Sequence, residues 1–85
     1  MAQRRITVGA EVGLHARPAA LFVEAASAAG ATVTIAKGDG EPVPAKSILA
    51  VMGLDVRHGD EIVISADGDD AEAVLDRLTG IVNDG

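Results

Sequence analysis

Gly13-Leu14-His15-Ala16-Arg17-Pro18-Ala19-Ala20 is the stretch from which the rest of the chain can be read. After Arg17 and Pro18, the residues up to 29 are almost all alanine, leucine, phenylalanine and valine, with Glu24 and Ser27 the only polar ones, and such a run favours a helix. Proline has no amide hydrogen and its ring clashes with a preceding turn, so it is tolerated only in a helix's first turn. Pro18 therefore sets the helix start within a residue or two of His15. Leu21, Phe22, Ala25, Ala26 and Ala29 recur at helical spacing and predict the buried stripe, while Gly30 predicts a left-handed stop.

Before this stretch, residues 3–8 alternate, with Ile6 and Val8 on one face and Arg5 and Thr7 on the other, the pattern of a half-buried strand. Residues 9–13 form the loop into the helix. Beyond it, residues 32–37 alternate again, and Gly38-Asp39-Gly40 predicts a hairpin turn. The return strand, residues 41–44, carries two prolines that remove ladder donors, which confines it to a short edge position. Ser47 is the candidate cap of a short helix crowded with Ile48, Leu49, Val51, Met52 and Leu54. That is more apolar surface than one face of a short helix can bury, so the cluster is either all core or partly exposed as a docking patch. Residues 61–66 give a fourth strand with Ile62 and Ile64 inward. Asp69 or Asp70 then caps a last helix bearing Ala71, Val74, Leu75, Leu78, Ile81 and Val82, whose final turn Gly80 weakens.

The order β-α-β-β-α-β-α, with strands apolar on one side and polar on the other, predicts an α+β open-faced sandwich. In it, a four-stranded antiparallel sheet carries its helices on a single face and leaves the other in water. Eighty-five residues make one small domain, residues 1–85, without internal repeat, linker or low-complexity segment.

The same reading puts His15 at or beside the helix N-cap. The free amides of a first turn and the positive end of the helix dipole favour an anion there, and Arg17 adds a guanidinium able to pair with phosphate oxygens. Ala16, Ala19 and Ala20 are small enough to leave the imidazole accessible. Phosphoryl transfer asks for in-line access and for charge stabilisation on the equatorial oxygens, and these residues supply both without a metal. A histidine near a helix start is also commonly a plain surface residue or cap. The conjunction of Gly13, His15, Arg17 and Pro18 is what points to chemistry.

Composition narrows the alternatives. Thirteen acidic against seven basic residues, a net charge of −6, and a single aromatic, Phe22, argue against a nucleic-acid binder. No signal-peptide pattern and no membrane-spanning run is present, which predicts a cytoplasmic protein, and the absence of cysteine fits a reducing compartment. Asp67-Gly68-Asp69-Asp70 fails the EF-hand spacing and reads as a turn and cap, and Gly38-Asp39-Gly40 lacks the lysine and hydroxyl of a P-loop. With two histidines and no cysteine, neither a metal nor a cofactor is expected; His58 lies in a polar turn with no evident task.

Gly13-Leu14-His15-Ala16-Arg17-Pro18-Ala19, together with Lys46-Ser47-Ile48-Leu49-Ala50-Val51-Met52-Gly53-Leu54, resembles the HPr family, the histidine phosphocarriers of the bacterial phosphoenolpyruvate:sugar phosphotransferase system. The likeness covers nearly the whole chain. It implies that His15 takes a phosphoryl group on Nδ1 from phosphorylated enzyme I and passes it to enzyme IIA domains. Arg17 would neutralise the group, Ala16 and Arg17 would donate backbone N–H, and Pro18 would be the family proline that cannot donate. It further implies that Ala20, Ile48, Leu49 and Met52 form a docking surface, and that Ser47 matches a serine phosphorylated in some bacteria by an HPr kinase to regulate carbon use. Phosphate at that helix start would place negative charge beside the docking patch without unfolding anything. A plain capping role explains Ser47 equally well. Ala50 and Gly53 depart from the common family residues and bear on partner specificity.

Two readings of different class follow. One is a non-enzymatic, monomeric phosphocarrier. The other is a regulatory module that docks to a transcriptional regulator or an enzyme with Ser47 as its switch. The intact histidine motif favours the carrier. A hydrolase is disfavoured because no general base or water-activating carboxylate is expected near the motif.

Overall fold

In a computed structural model, residues 2–9, 11 and 13–84 are described. Met1 and Gly85, the ends of the expected domain, and Ala10 and Val12 of the loop before His15 lie outside the described residues. The elements run β1 (Ala2–Thr7), α1 (Ala16–Ala28), β2 (Thr32–Lys37), β3 (Val43–Pro44), α2 (Ile48–Gly53), β4 (Glu61–Asp67) and α3 (Ala71–Asp84), the order expected from the sequence. The strands form one antiparallel sheet in the order β1-β4-β2-β3, so β4 and β2 are central and the proline-containing β3 is an edge, as the sequence requires.

Register follows from which face is apolar. Ile6 pairs with Ile62 and Ile35 with Ile64, so their side chains share the helix side, where all four are buried. Phe22, Leu75, Leu78 and Val82 from the helices meet them in a single core. Full burial of side chains of this size contributes about 1.5–3 kcal/mol each. The opposite face carries Gln3, Arg5, Thr7, Thr32 and Thr34. Ser65 and Ala36 are small and are covered there by longer neighbours, Gln3 and Thr34 flanking Ser65 and Val63 facing Ala36. Arg4 projects to the helix side of edge strand β1, where it binds Glu72 at 3.0 Å and Asp76 as well, closing that margin onto α3.

Three local expectations change. Helix α1 ends at Ala28 because Ala29 is extended (φ −74°, ψ 144°), and Gly30 is absent from the positive-φ glycines, so the chain leaves the helix without a left-handed stop. Leu21 is 38% exposed, outside the core stripe: it lies about 100° around the helix from Phe22, on the flank of the buried face. Ala29, expected on the same stripe, stands at the helix C-cap and is only half-buried, whereas Ala19 is fully buried beside an imidazole that stays accessible. The last helix begins where predicted, with the Asp70 carbonyl accepting the Val74 amide at 3.0 Å in the N-cap manner. Among the described residues no helix is long and apolar enough to cross a membrane.

Candidate functional site

The backbone places His15 before its side chain does anything. Gly13 adopts φ +68°, and a Cβ built on it would lie 2.2 Å from the Val56 carbonyl oxygen and 2.7 Å from the Arg57 Cα. Only glycine permits that approach, and it lets the Leu14 amide donate to the Val56 carbonyl at 3.0 Å. Leu14 and Val56 are both fully buried, so the chain on either side of the contact is anchored in the core. His15 comes next in the chain.

His15 is the N-cap of α1, extended at φ −128° and ψ 161°, and its side chain makes no capping hydrogen bond. Serine or aspartate at this position would ordinarily spend its oxygen on a first-turn amide. Here the imidazole is released from that duty and remains 37% exposed. Ala16 follows at φ 52°, a left-handed conformation unfavourable for a residue with a Cβ, and the helix proper continues from it. A left-handed residue leading into a right-handed helix turns successive N–H groups toward one point, an anion-binding arrangement at the positive end of the dipole. Ala16 and Arg17 carry such groups and are exposed, whereas buried Pro18 has none to give.

The ring itself faces a carboxylate, against the expectation that none lies near the motif, because the fold brings in a residue distant in sequence. His15 Nε2 lies 3.4 Å from Asp55 Oδ1. Asp55 also accepts Arg57 Nε at 3.3 Å on Oδ1 and an Arg57 terminal nitrogen at 2.9 Å on Oδ2. These Arg57 hydrogen bonds are the main reason its carboxyl is held below the usual aspartate range, against an opposing desolvation and with the charges of Arg57 and Lys37 adding to the effect. Nothing local in the sequence signals this contact, because 39 residues intervene and it depends on the fit of Gly13 against Val56.

Ser47 is the N-cap of α2, its Oγ accepting the Ala50 amide at 3.2 Å. Of the apolar residues on α2, only Val51 is fully buried; Ile48 is 38%, Leu49 82% and Met52 40% exposed. With Leu21 on the neighbouring α1, these are the large apolar side chains left exposed among the described residues, and they resolve the expected choice between core and surface in favour of surface. Ala20 is exposed too. Leu21 is the member of this set that helical periodicity places in the core. His58 is exposed in its turn, and no group of three or more potential metal ligands occurs among the described residues.

Comparison with known proteins matches residues 2–84 to the family described as the PTS HPr component phosphorylation site. A phosphocarrier protein HPr of Streptomyces coelicolor is 56% identical over 85 residues, covering all of this chain and 91% of the relative. The crystal structure of a phosphocarrier protein HPr from Bacillus anthracis superposes with a TM-score of 0.90 at 44% identity, covering 95% of each chain. The HPr-like protein Crh of Bacillus subtilis is 40% identical over 84 residues, covering 99% of this chain and 98% of Crh, and a crystal structure of Crh is a domain-swapped dimer.

Proposed function

The chain belongs to the HPr family of phosphocarriers of the phosphotransferase system, and on that premise we propose that His15 accepts a phosphoryl group on Nδ1 from phosphorylated enzyme I and passes it to enzyme IIA domains. The observation that carries the reading is the uncommitted imidazole: an N-cap histidine that leaves its helix amides free and has its Nε2 side turned to Asp55. Nδ1 is then the nitrogen available to phosphorus. The Ala16 and Arg17 amides and the Arg17 guanidinium take up charge on the phosphoryl oxygens, so the helix start acts as a preorganised electrostatic cradle.

The protein is a carrier in this reading, returned to its starting state only by a second partner, and so is not an enzyme. Enzyme I and enzyme IIA domains dock in turn on the apolar surface of Ala20, Leu21, Ile48, Leu49 and Met52, exposed on α1 and α2. One small surface serving successive partners favours a monomer, a single domain over residues 1–85, working in the cytoplasm. Likeness to Crh, a protein named for catabolite repression, supports a second, regulatory role, in which, as the family resemblance implies, an HPr kinase modifies Ser47 and a transcriptional regulator reads the result. The two use different residues but meet at the docking surface, where charge on Ser47 would slow the carrier's exchange with its partners.

Incubation with phosphoenolpyruvate and purified enzyme I tests the carrier. A stoichiometric, acid-labile and base-stable label on the wild type that disappears in His15→Ala is expected; folded wild type that takes no label would overturn it.

A further inference from the structure

Asp55 stands past the end of α2 in a left-handed conformation, φ 53°, which aspartate tolerates better than most residues but still at a cost. It is tethered three ways. Its amide donates to the Met52 carbonyl at 3.1 Å, its carbonyl accepts Lys37 Nζ at 2.9 Å, and its carboxylate is gripped by Arg57. So held, Oδ1 is presented to His15 Nε2 at 3.4 Å.

A neutral imidazole carries one proton and one nitrogen lone pair, and the partner of one ring nitrogen decides which is where. An ionised carboxylate only accepts hydrogen bonds, so it favours N–H and disfavours a lone pair opposite it. We propose that Asp55 is a positioning residue for phosphoryl transfer, holding the His15 proton on Nε2 and thereby presenting the Nδ1 lone pair to phosphorus.

This deepens the carrier reading and rests on it. In the transfer step the Nδ1 lone pair forms the new bond to phosphorus as the donor's bond to phosphorus breaks, and that electron pair leaves with the donor. The proton stays on Nε2, so the phosphorylated ring becomes a cation, and the Asp55 carboxylate offsets its charge. Return of the phosphoryl group to an acceptor restores the neutral ring by the reverse movement. Arg57, on the carboxylate, and Lys37, on the backbone carbonyl, are the cations the structure places at Asp55.

Long-range proton–nitrogen correlation of the His15 ring, recorded with the imidazole neutral, reads the two tautomers directly. Asp55→Gly suits φ 53° and removes the side chain with its carboxylate; Asp55→Asn keeps the size and tolerates the same backbone while removing only the charge. The expected result is a fall of about two- to fivefold in the ratio of Nε2–H to Nδ1–H form in Asp55→Gly, the size of an exposed charge contact, with a smaller fall in Asp55→Asn. Labelling by enzyme I should slow by a similar factor in Asp55→Gly. An unchanged ring in Asp55→Gly overturns the proposal, and so does a changed ring with an unchanged labelling rate. The carrier reading fails separately, by a wild type that takes no label whatever its ring shows.

Discussion

The Leu14 amide donates to the Val56 carbonyl at 3.0 Å, and this one backbone bond joins the residue before His15 to the residue after Asp55. Two segments far apart in sequence thus share a fixed spacing at the place where chemistry is expected.

That spacing depends on Gly13. Gly13→Ala puts a methyl against the Val56 carbonyl and forces a side-chain residue into φ +68°, two independent penalties of about 1–3 kcal/mol each. Urea unfolding should show a loss of at least about 2 kcal/mol, with slower labelling of the protein that remains folded. Gly80→Ala is the contrast: it lies within α3 with nothing within 4 Å of an added Cβ, and should gain about 0.5–1 kcal/mol. Equal losses at the two sites would show that the Gly13 contact is not special.

Leu49 is 82% exposed, so Leu49→Glu removes little packing and stability should stay within about 0.5 kcal/mol of wild type. A charge in the apolar patch should instead raise the enzyme I concentration needed for half-maximal labelling. Unaltered concentration dependence would remove Leu49 from the docking surface.

Ser47 separates cap from switch. Ser47→Ala loses the acceptor for the Ala50 amide and should cost about 1 kcal/mol. Ser47→Asp keeps an acceptor at the cap and suits the helix dipole, so it should retain stability while slowing exchange with partners through its charge beside Ile48 and Leu49. Thermal unfolding and labelling kinetics on the two variants test this, and a Ser47→Asp that labels at the wild-type rate would leave the serine a cap only.

Acid should weaken the fold through the same corner of the molecule. The Asp60 carboxylate accepts the Arg57 amide at 2.9 Å, which is the main cause holding its carboxyl below the usual range, with Lys37 at 3.3 Å contributing. Asp55 shifts the same way. A carboxyl depressed in the folded state gives stability that is fully present above its unfolded value and is lost as pH falls through the folded one. Unfolding free energy should therefore be flat near neutrality and decline below about pH 5, with a shallower decline in Asp60→Asn. Identical acid limbs for the two proteins would exclude Asp60 as a contributor.

Much of this was legible in the chain. Alternation in residues 32–37 and 61–66, prolines at 42 and 44, and Pro18 just after His15 each report a local constraint, and local constraints are written locally. The misreadings have the same origin. Periodicity places Leu21 in the core because it cannot tell the centre of a buried stripe from its flank, and Gly30 suggests a left-handed turn because a glycine permits that conformation without demanding it.

The sequence by itself determined the elements and their order, the histidine at a helix start, and the phosphocarrier likeness, because proline, glycine and apolar spacing act through neighbouring residues. Only the tertiary structure decided the strand order β1-β4-β2-β3, the exposure of Leu21, Ile48, Leu49 and Met52, and the meeting of His15 with Asp55. Those depend on which surfaces remain once the core has closed, and on a glycine at position 13 fitting against a carbonyl at position 56, a relation between residues that no local pattern encodes.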